Sequence, residues 1–403
     1  MEPESVQRFR KYLQIKTVHP TPDYENCAKF LLEQAAEIGL QGRVHELVKG
    51  KPIVILTWVG SNPDLKSVIL NSHTDVVPIF EEFWDYPAFD AVRIPTGDGD
   101  YKIIARGSQD MKIVGSCYLE AIRNLKNAGK QPLRTIHLTF VPDEEINTSA
   151  GMQCYVHTED FKSLNPAFVL DEGIANTGPE LYAFYGERKI NSVRFTSHGD
   201  TGHGSQFIQN TAISRIMNIN NALLAFRDEE EKKLISQYGG SSQSTLGNVT
   251  TINLNVIGGG VQHNVVPENF SSVFDVRVSP NTDIQKLNAW FQQLADENHA
   301  DLEFISKEPE ICLTDVSKSN KFWCALLDVA NNKGLKIIDA IFPAATDSRF
   351  IRGVGVQAIG ISPLRNLPVL LHDHNEYVTE SCFLEGVDFY TDLVLELANV
   401  EDH

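Results

Sequence analysis

The sequence predicts an α/β fold that is interrupted by a smaller α+β insertion. In the outer parts of the chain, short apolar runs alternate with helical periodicity, which is typical of a sheet covered by helices. In the middle, the segments follow the order β-α-β-β-α-β, which is the pattern of a split βαβ sandwich. With 403 residues, the chain is long enough for two cores. We therefore expect a discontinuous first domain, residues 1–187 and 307–403, and an inserted domain, residues 188–306.

The elements of the first domain follow from apolar spacing and from the residues that end each run. Helical runs repeat their apolar residues every three or four positions, and one of them stops at Gly39. Strands are short apolar runs bounded by polar residues. In chain order we predict helices 5–15 and 24–38, strand 67–70, helix 111–128, strands 135–141 and 167–170, helix 321–333, strand 356–361 and helix 381–398.

The inserted domain has a different rhythm. We predict strand 189–196, helix 211–227, strands 248–256 and 270–278, helix 282–299 and strand 301–305. Residues 228–244 are first charged and then rich in glycine and serine, so we expect a surface loop there.

Charge and cysteine usage limit the possible partners and compartment. The formal net charge is −18, so nucleic acid and anionic membranes are not expected as partners. A small anionic substrate remains compatible where local arginines or metal ions reverse the field. The six cysteines form no C-x-x-C pair, and we expect free thiols in the cytoplasm. We expect neither a signal peptide nor a membrane span, because no sufficiently long apolar run is present.

Polar clusters follow the predicted strands at the points where the strands end. His73 and Asp75 follow the first strand, and their spacing of two lets both side chains point the same way. One of them could bind a metal while the other orients a ligand; a capped turn is the alternative. Asp110 precedes a predicted helix and is either an N-cap or a carboxylate that bridges two metal ions.

Three adjacent carboxylates, Asp143, Glu144 and Glu145, follow the second strand. They repel one another, which favours bound cations; an acidic helix N-terminus is the alternative. If the cluster is functional, we expect Glu144 and Glu145 to divide the work of general base and metal ligand, because neighbouring side chains project in different directions.

Two further clusters add donors of the same kinds. The first is the pair Asp171 and Glu172, and the second comprises His372, His374 and Glu376. Mixed ligation by imidazole and carboxylate suits zinc or a similar divalent ion. The number of donors fits two metal ions about 3.5–4 Å apart.

The clusters belong to longer phrases that resemble the co-catalytic zinc peptidase/deacylase family, and within it the aminoacylase branch. The phrases are SHTDVVP (72–78), RGSQDMK (106–112), VPDEE (141–145), LDEG (170–173), GHGS (202–205) and LHDHNE (371–376). The resemblance covers essentially the whole chain. It implies a mixed-sheet catalytic domain with helices on both faces, an inserted lid and dimerisation domain, and hydrolysis of N-acyl-L-amino acids to a free L-amino acid and a carboxylate. The alternatives are a dipeptidase or carboxypeptidase of the same family, and a non-enzymatic binding protein on the same fold.

The resemblance also implies a role for each matching residue in a centre with two zinc ions per subunit. The implied ligands are His73 and Glu172 for one zinc, Glu145 and His372 for the other, and Asp110 between them. Asp75 corresponds to the residue that orients His73, and Glu144 corresponds to the general base. The choice of His372 over His374 rests on the family's H-x-x-N-E spacing.

The remaining implied residues concern the substrate and a second subunit. Members of the family dimerise through the inserted domain, and the histidine that matches His203 reaches into the partner's site to stabilise the oxyanion. This chain has Asp200 and Thr201 before Gly-His, where the family usually has proline, so a looser turn is expected. Arg277, Arg349 and Asn264 complete the implied substrate cradle, because an arginine fork suits the carboxylate of an amino acid. A surface-turn histidine and an exposed strand arginine are the alternatives for His203 and Arg277.

Overall fold

The computed structural model describes residues 2–146, 149–306, 310 and 312–401, and the chain forms two compact units. The first unit comprises Met1–Tyr185, Cys312–Asp339 and Thr346–His403. The second comprises Gly186–Ile311 and Ala340–Ala345. The predicted return of the first domain at residue 307 lies outside the described residues.

The helices begin and end at residues suited to those positions. Asp23, Thr211 and Thr379 each accept a hydrogen bond from a backbone N–H of the first helical turn. Gly39 and Gly239 end helices in the left-handed conformation, with φ of 76° and 77°. The helices are α1 (Glu4–Leu13), α2 (Tyr24–Ile38), α3 (Lys112–Asn127), α4 (Met152–Tyr155), α5 (Glu159–Ser163), α6 (Ala212–Tyr238), α7 (Ile284–Glu297), α8 (Lys321–Asn332), α9 (Ser348–Gly353) and α10 (Glu380–Ala398).

The strands form two main sheets and two small ones. They are β1 (Gln41–Val48), β2 (Lys51–Trp58), β3 (Ser67–His73), β4 (Val92–Pro95), β5 (Tyr101–Ile104), β6 (Ile136–Val141), β7 (Pro166–Asp171), β8 (Leu181–Glu187), β9 (Lys189–Ile190), β10 (Val193–His198), β11 (Gly202–His203), β12 (Thr251–Gly259), β13 (Val265–Val266), β14 (Asn269–Val278), β15 (Ala300–Phe304), β16 (Ile337–Phe342), β17 (Gln357–Ile361) and β18 (Tyr377–Thr379).

The largest sheet is mixed and has the strand order β1-β2-β6-β3-β7-β17-β8-β16. Its central strands β6, β3, β7 and β17 are parallel, whereas β1, β2 and β8 pair antiparallel with their neighbours. The predicted α/β class is confirmed. Because the central strands run the same way, their carboxyl ends meet at one edge of the sheet, where ligand sites of such folds collect.

Alternating side chains of the central strands build a core on each face of this sheet. Val68 and Leu70 pack into the larger core with residues of α1, α2, α3, α8 and α10. Ile69 and Val169 point the other way and pack with residues of α4, α5 and α9. Strands buried on both faces explain the continuous apolar runs in the sequence.

The second unit has its own antiparallel sheet, in the order β12-β14-β10-β15, with β9 paired to β14. One core holds the sheet against α6 and α7; Phe195, Phe274 and Phe291 lie at its centre. Along the chain, β10, α6, β12, β14, α7 and β15 follow in the order β-α-β-β-α-β.

The loop predicted for residues 228–244 is wrong over its first part, because α6 continues to Tyr238. The charged residues there pair along the helix: Lys232 lies 2.7 Å from Glu229, and Lys233 pairs with Glu230. Glu230 is buried and also accepts a hydrogen bond from the backbone N–H of Thr250, at 2.8 Å. The charged stretch is therefore a helix surface with one anchored carboxylate.

The structure describes all six cysteines as free thiols. Among the helices of the described ranges, none has the length and apolarity needed to cross a bilayer.

Candidate metal centre

The carboxyl ends of β3, β6 and β7 bring three of the predicted clusters together. His73 is the last residue of β3, and Asp171 is the last residue of β7 with Glu172 directly after it. The turn that carries Glu144 and Glu145 follows β6. Asp110 lies just before α3 and is almost completely buried, as are His73 and Glu172.

Asp110 lies between the two predicted ligand pairs. Its Oδ1 lies 3.0 Å from His73 Nε2, and its Oδ2 lies 3.2 Å from His372 Nε2. Each of these imidazole nitrogens also faces a glutamate oxygen: His73 faces Glu172 at 3.6 Å, and His372 faces Glu145 at 3.1 Å. The five predicted ligands therefore form two donor sets that share the carboxylate of Asp110, which is the arrangement that two neighbouring divalent ions require.

Glu144 belongs to the same cage. Ligand atoms of His73, Glu144 and Glu172 lie within 4.8 Å of one another, and so do those of His73, Asp110 and Glu145. Predicted base and predicted ligands thus surround one small volume.

The acids of the cage are electrostatically strained. Burial raises the pKa of Glu144 well above its usual value, and the charge of Glu172 raises it further. Burial and Asp110 raise the pKa of Glu145 to about 7, and the same two causes raise that of Glu172. Mutual repulsion in a dry site disfavours several negative charges at once. Cations placed between these carboxylates remove that penalty.

The histidines partly compensate for the acids. Burial opposes the charge on His73, but Glu172 and Asp110 raise its pKa well above the usual value. Hydrogen bonds that His372 donates to the carboxylates of Asp110 and Glu145 raise the pKa of its imidazole to about 10. Burial opposes ionisation of Asp110, yet His372 and His73 lower its pKa below the usual range. A mixed nitrogen and oxygen donor set that attracts positive charge fits zinc.

Asp75 contacts both His73 and the turn that carries Glu144 and Glu145. Its backbone carbonyl lies 3.0 Å from His73 Nδ1, while its carboxylate accepts the backbone N–H groups of Glu144 and Glu145, each at 3.1 Å. Burial opposes ionisation of the carboxyl, but hydrogen bonds from His19 and His73 lower the pKa of Asp75 to about 2. The carboxylate therefore stays charged and fixes the turn.

Glu376 connects two parts of the cage. It is fully buried, and Oε2 accepts hydrogen bonds from Arg106 Nη1 and Gly107 N, both at 2.9 Å. Oε1 accepts the backbone N–H groups of Gln109 at 2.6 Å and Asp110 at 3.2 Å. The loop before α3 is thereby tied to the segment that carries His372.

The other members of two clusters lie outside the cage. Asp171 accepts from Asn71 Nδ2 at 3.1 Å and from Ser348 Oγ at 2.7 Å, in a buried polar group beside the sheet edge. His374 packs its ring against Phe83, with centroids 4.9 Å apart. Asp347 is buried near the same polar group, and burial with Asp171 raises its pKa to about 7.

The predicted substrate residues lie in different parts of the chain. Arg349, in α9, is buried and donates from Nη1 to the carbonyl of Thr346 at 3.1 Å. His203, Asn264 and Arg277 lie in the second unit.

The contacts of these three residues lie within the second unit. Nδ1 of the exposed His203 lies 2.8 Å from Ser205 Oγ, and the backbone carbonyl of Asn264 accepts the backbone N–H of Gly204 at 2.8 Å. Arg277, on β14, lies 2.9 Å from Asp275.

Sequence reasoning missed several residues that support the centre. His19 and Tyr24 gave no local signal, because each contacts a residue far away along the chain. Arg106 stood inside the phrase RGSQDMK, but that phrase did not reveal its ion pair with Glu376. Glu376 stood inside a recognised phrase, but its spacing to the histidines did not reveal that it binds the loop before α3.

The chain is also similar to known proteins. Residues 69–396 match the sequence profile of peptidase family M20/M25/M40. Aminoacylase-1A of Rattus norvegicus is 44% identical over 403 residues, which cover 99% of this chain and 96% of that protein. Aminoacylase-1 of Dictyostelium discoideum is 39% identical over 411 residues, with 99% of each chain covered.

The fold is also similar to a solved structure. An M20 family metallo-carboxypeptidase from Sulfolobus solfataricus aligns over 98% of this chain and 99% of its own, with a TM-score of 0.71 and 18% identity. At that identity the likeness supports the fold alone. By sequence profile and full-length relatives together, the chain belongs to peptidase family M20/M25/M40, as a member of the aminoacylase-1 group.

Proposed function

We propose that this chain hydrolyses N-acyl-L-amino acids to a free L-amino acid and a carboxylate, with two zinc ions per subunit. The observation that carries the proposal is the position of Asp110, whose two oxygens face His73 and His372 at 3.0 and 3.2 Å. The full-length relatives named aminoacylase-1 support the choice of substrate class.

In this proposal His73 and Glu172 hold one zinc, Glu145 and His372 hold the other, and Asp110 serves both. When bound, the ions supply Lewis acidity, which polarises the amide carbonyl and lowers the pKa of water to about 7.

Glu144 is the proposed general base. Burial and Glu172 raise the pKa of Glu144, which strengthens its carboxylate as a proton acceptor. Glu144 accepts the proton of the attacking water and then passes it to the leaving amine nitrogen. Asp75 holds the backbone of Glu144 in place while this happens.

The substrate carboxylate is proposed to bind to Arg277, Arg349 and Asn264. The partner subunit's His203 stabilises the oxyanion of the tetrahedral intermediate, where negative charge develops. This part of the proposal requires a homodimer formed by the inserted domain, residues 188–306. The exposed apolar side chains Val256 and Ile257 on the edge strand β12 support such an interface. The proposed compartment is the cytoplasm, where free thiols persist.

Hydrolysis of N-acetyl-methionine, compared with a dipeptide and repeated after chelation, tests the function. We expect turnover of the acylated amino acid and its loss with the chelator. Preference for the dipeptide would instead favour a dipeptidase or carboxypeptidase, and no hydrolysis of either would favour a binding protein.

The role of Glu144 is tested by Glu144→Gln, which keeps the shape of the side chain. We expect bound zinc to remain near two ions per subunit and turnover to fall by about two to four orders of magnitude. Retained activity would remove Glu144 from the mechanism.

A further inference from the structure

The segment that carries His19 runs beside the segment that carries Asp75. The backbone N–H of Val76 donates to the carbonyl of Thr17 at 3.0 Å, and the N–H of His19 donates to the carbonyl of Val76 at 3.3 Å. These bonds fix the backbone on both sides, so the imidazole of His19 is held next to the carboxylate of Asp75.

Three donors converge on that buried carboxylate from outside its own segment. His19 Nε2 lies 2.9 Å from Asp75 Oδ2, and the imidazole is itself nearly buried. The other two donors are the backbone N–H groups of Glu144 and Glu145, bonded to Oδ1 and Oδ2. His19 is thus the one side chain among these three donors, and it shares Oδ2 with the amide of Glu145.

The far side of the same turn has anchors besides Asp75, and it lies near the same imidazole, since Asp143 Oδ1 is 3.9 Å from His19 Nε2. Asp143 has a φ of 63°, in the left-handed region that a non-glycine residue occupies only when its surroundings enforce it. The hydroxyl of Tyr24 donates to Asp143 Oδ1 at 2.7 Å, and Lys51 pairs with Oδ2. Asp75 provides the second anchor, on the side where Glu144 and Glu145 lie.

We propose that His19 is a positioning residue, which orients the carboxylate of Asp75 so that it holds the backbone of Glu144 and Glu145 in the metal centre. The roles of those two glutamates rest on the proposed function. A carboxylate that loses its imidazole donor in a dry site turns toward other donors, and the two amides then lose their common acceptor. Partners of this kind around metal centres typically change metal affinity or activity ten- to a hundredfold when removed.

The test compares His19→Leu with His19→Gln and His19→Asn. The amide nitrogen of glutamine reaches the place of imidazole Nε2, whereas that of asparagine is too short to reach Asp75. We measure kcat and KM for N-acetyl-methionine at pH 8, and zinc affinity by competition with a chelator. His137→Leu is the matched control, because His137 is a buried histidine whose Nδ1 bonds Thr57 Oγ1.

We expect His19→Leu and His19→Asn to lower kcat and zinc affinity about tenfold or more, with KM within about threefold. His19→Gln should retain both within about threefold, and His137→Leu should leave both near wild type. Wild-type kcat and zinc affinity in His19→Leu, or equal losses in the Gln and Asn variants, would overturn the proposal.

If His19→Leu does not fold, the comparison of Gln with Asn decides, because both are polar and differ in reach. An inactive wild-type protein would refute the proposed function, while the zinc affinities of the wild type and the His19 variants would still test the role of His19.

Discussion

Replacing Glu376 by glutamine is expected to destabilise the first unit strongly. Oε1 and Oε2 each accept two hydrogen bonds, and all four donors are N–H groups. However the new amide is turned, its NH₂ group faces two of these donors and can accept neither. The guanidinium of Arg106, whose side chain is only 3% exposed, also loses its charge partner.

The magnitude follows from the burial of both partners. Removing one member of a buried ion pair costs about 3–5 kcal/mol, because the remaining charge is left uncompensated. We therefore expect Glu376→Gln to lower the free energy of unfolding by about that amount. Metal affinity should fall as well, because these four hydrogen bonds together hold the loop that carries Asp110.

Urea unfolding followed by tryptophan fluorescence measures the loss; Trp84 lies 5.4 Å from the guanidinium of Arg106 and reports on this region. The matched control is Glu380→Gln. Its carboxylate pairs with Arg93 at 2.6 Å but keeps access to solvent, so the change should cost about 1 kcal/mol or less. Equal losses in the two variants, or a wild-type transition for Glu376→Gln, would refute the reasoning.

Three further changes have expected outcomes. In Gly360→Ala the new Cβ would lie 2.2 Å from the carbonyl of Glu172, so urea unfolding should show a loss of about 1–3 kcal/mol. Burial lowers the pKa of His137 from 6.5 to about 4. The unfolded chain therefore takes up a proton that the folded chain refuses, and stability present above pH 6.5 should fall by up to about 3 kcal/mol as the pH approaches 4. Chelation should lower the thermal midpoint of the wild-type protein, because ions that bind only the folded state stabilise it.

Each of these predictions has its own control. Gly258→Ala adds a Cβ with no atom within 4 Å and should unfold like the wild type; equal losses at both glycines would contradict the steric argument. In His137→Leu, the loss of stability between pH 6.5 and 4 should be smaller by the contribution of His137. An unchanged pH dependence of stability would show that His137 does not cause that loss. In His73→Ala the midpoint should respond little to the chelator, and a full response would point to a different metal site.

The sheet could be predicted from sequence because its central strands are buried on both faces. Residues 68–70 and 167–170 are continuous apolar runs, residues 135–141 alternate apolar residues with threonine and histidine, and the polar residues after them mark the edge at which parallel strands end. Local composition is sufficient to predict such strands, because the residues that the sheet buries are the same apolar residues that mark the strand in the sequence.

Edge strands and the end of α6 could not be predicted in this way. The edge strand β1 depends on its pairing with β2 rather than on its own composition, because it is mostly exposed and contains Gly42, Arg43 and Glu46. In α6, Glu–Lys pairs extend the helix to Tyr238, and the glycine and serine residues that predict a loop begin only at Gly239.

The sequence could predict which side chains gather at the candidate centre, but it could not predict the residues that support them. His73 ends strand β3, and Glu145 and Glu172 follow β6 and β7, so their positions are implied by the sheet. His19 and Glu376 act on residues brought close only by the complete fold, and no local pattern carries that information.

During translation, the two histidines of the cage are synthesised at different times. His73, Asp110 and Glu172 emerge early, and His372 follows roughly 200 residues after Glu172, which takes roughly 10–40 s at ordinary rates of translation. During that interval the nascent chain carries the carboxylates with a single imidazole among them. Both donor sets are therefore complete only in the finished polypeptide, and a product terminated before residue 372 would keep the acids without the imidazole that completes the second set.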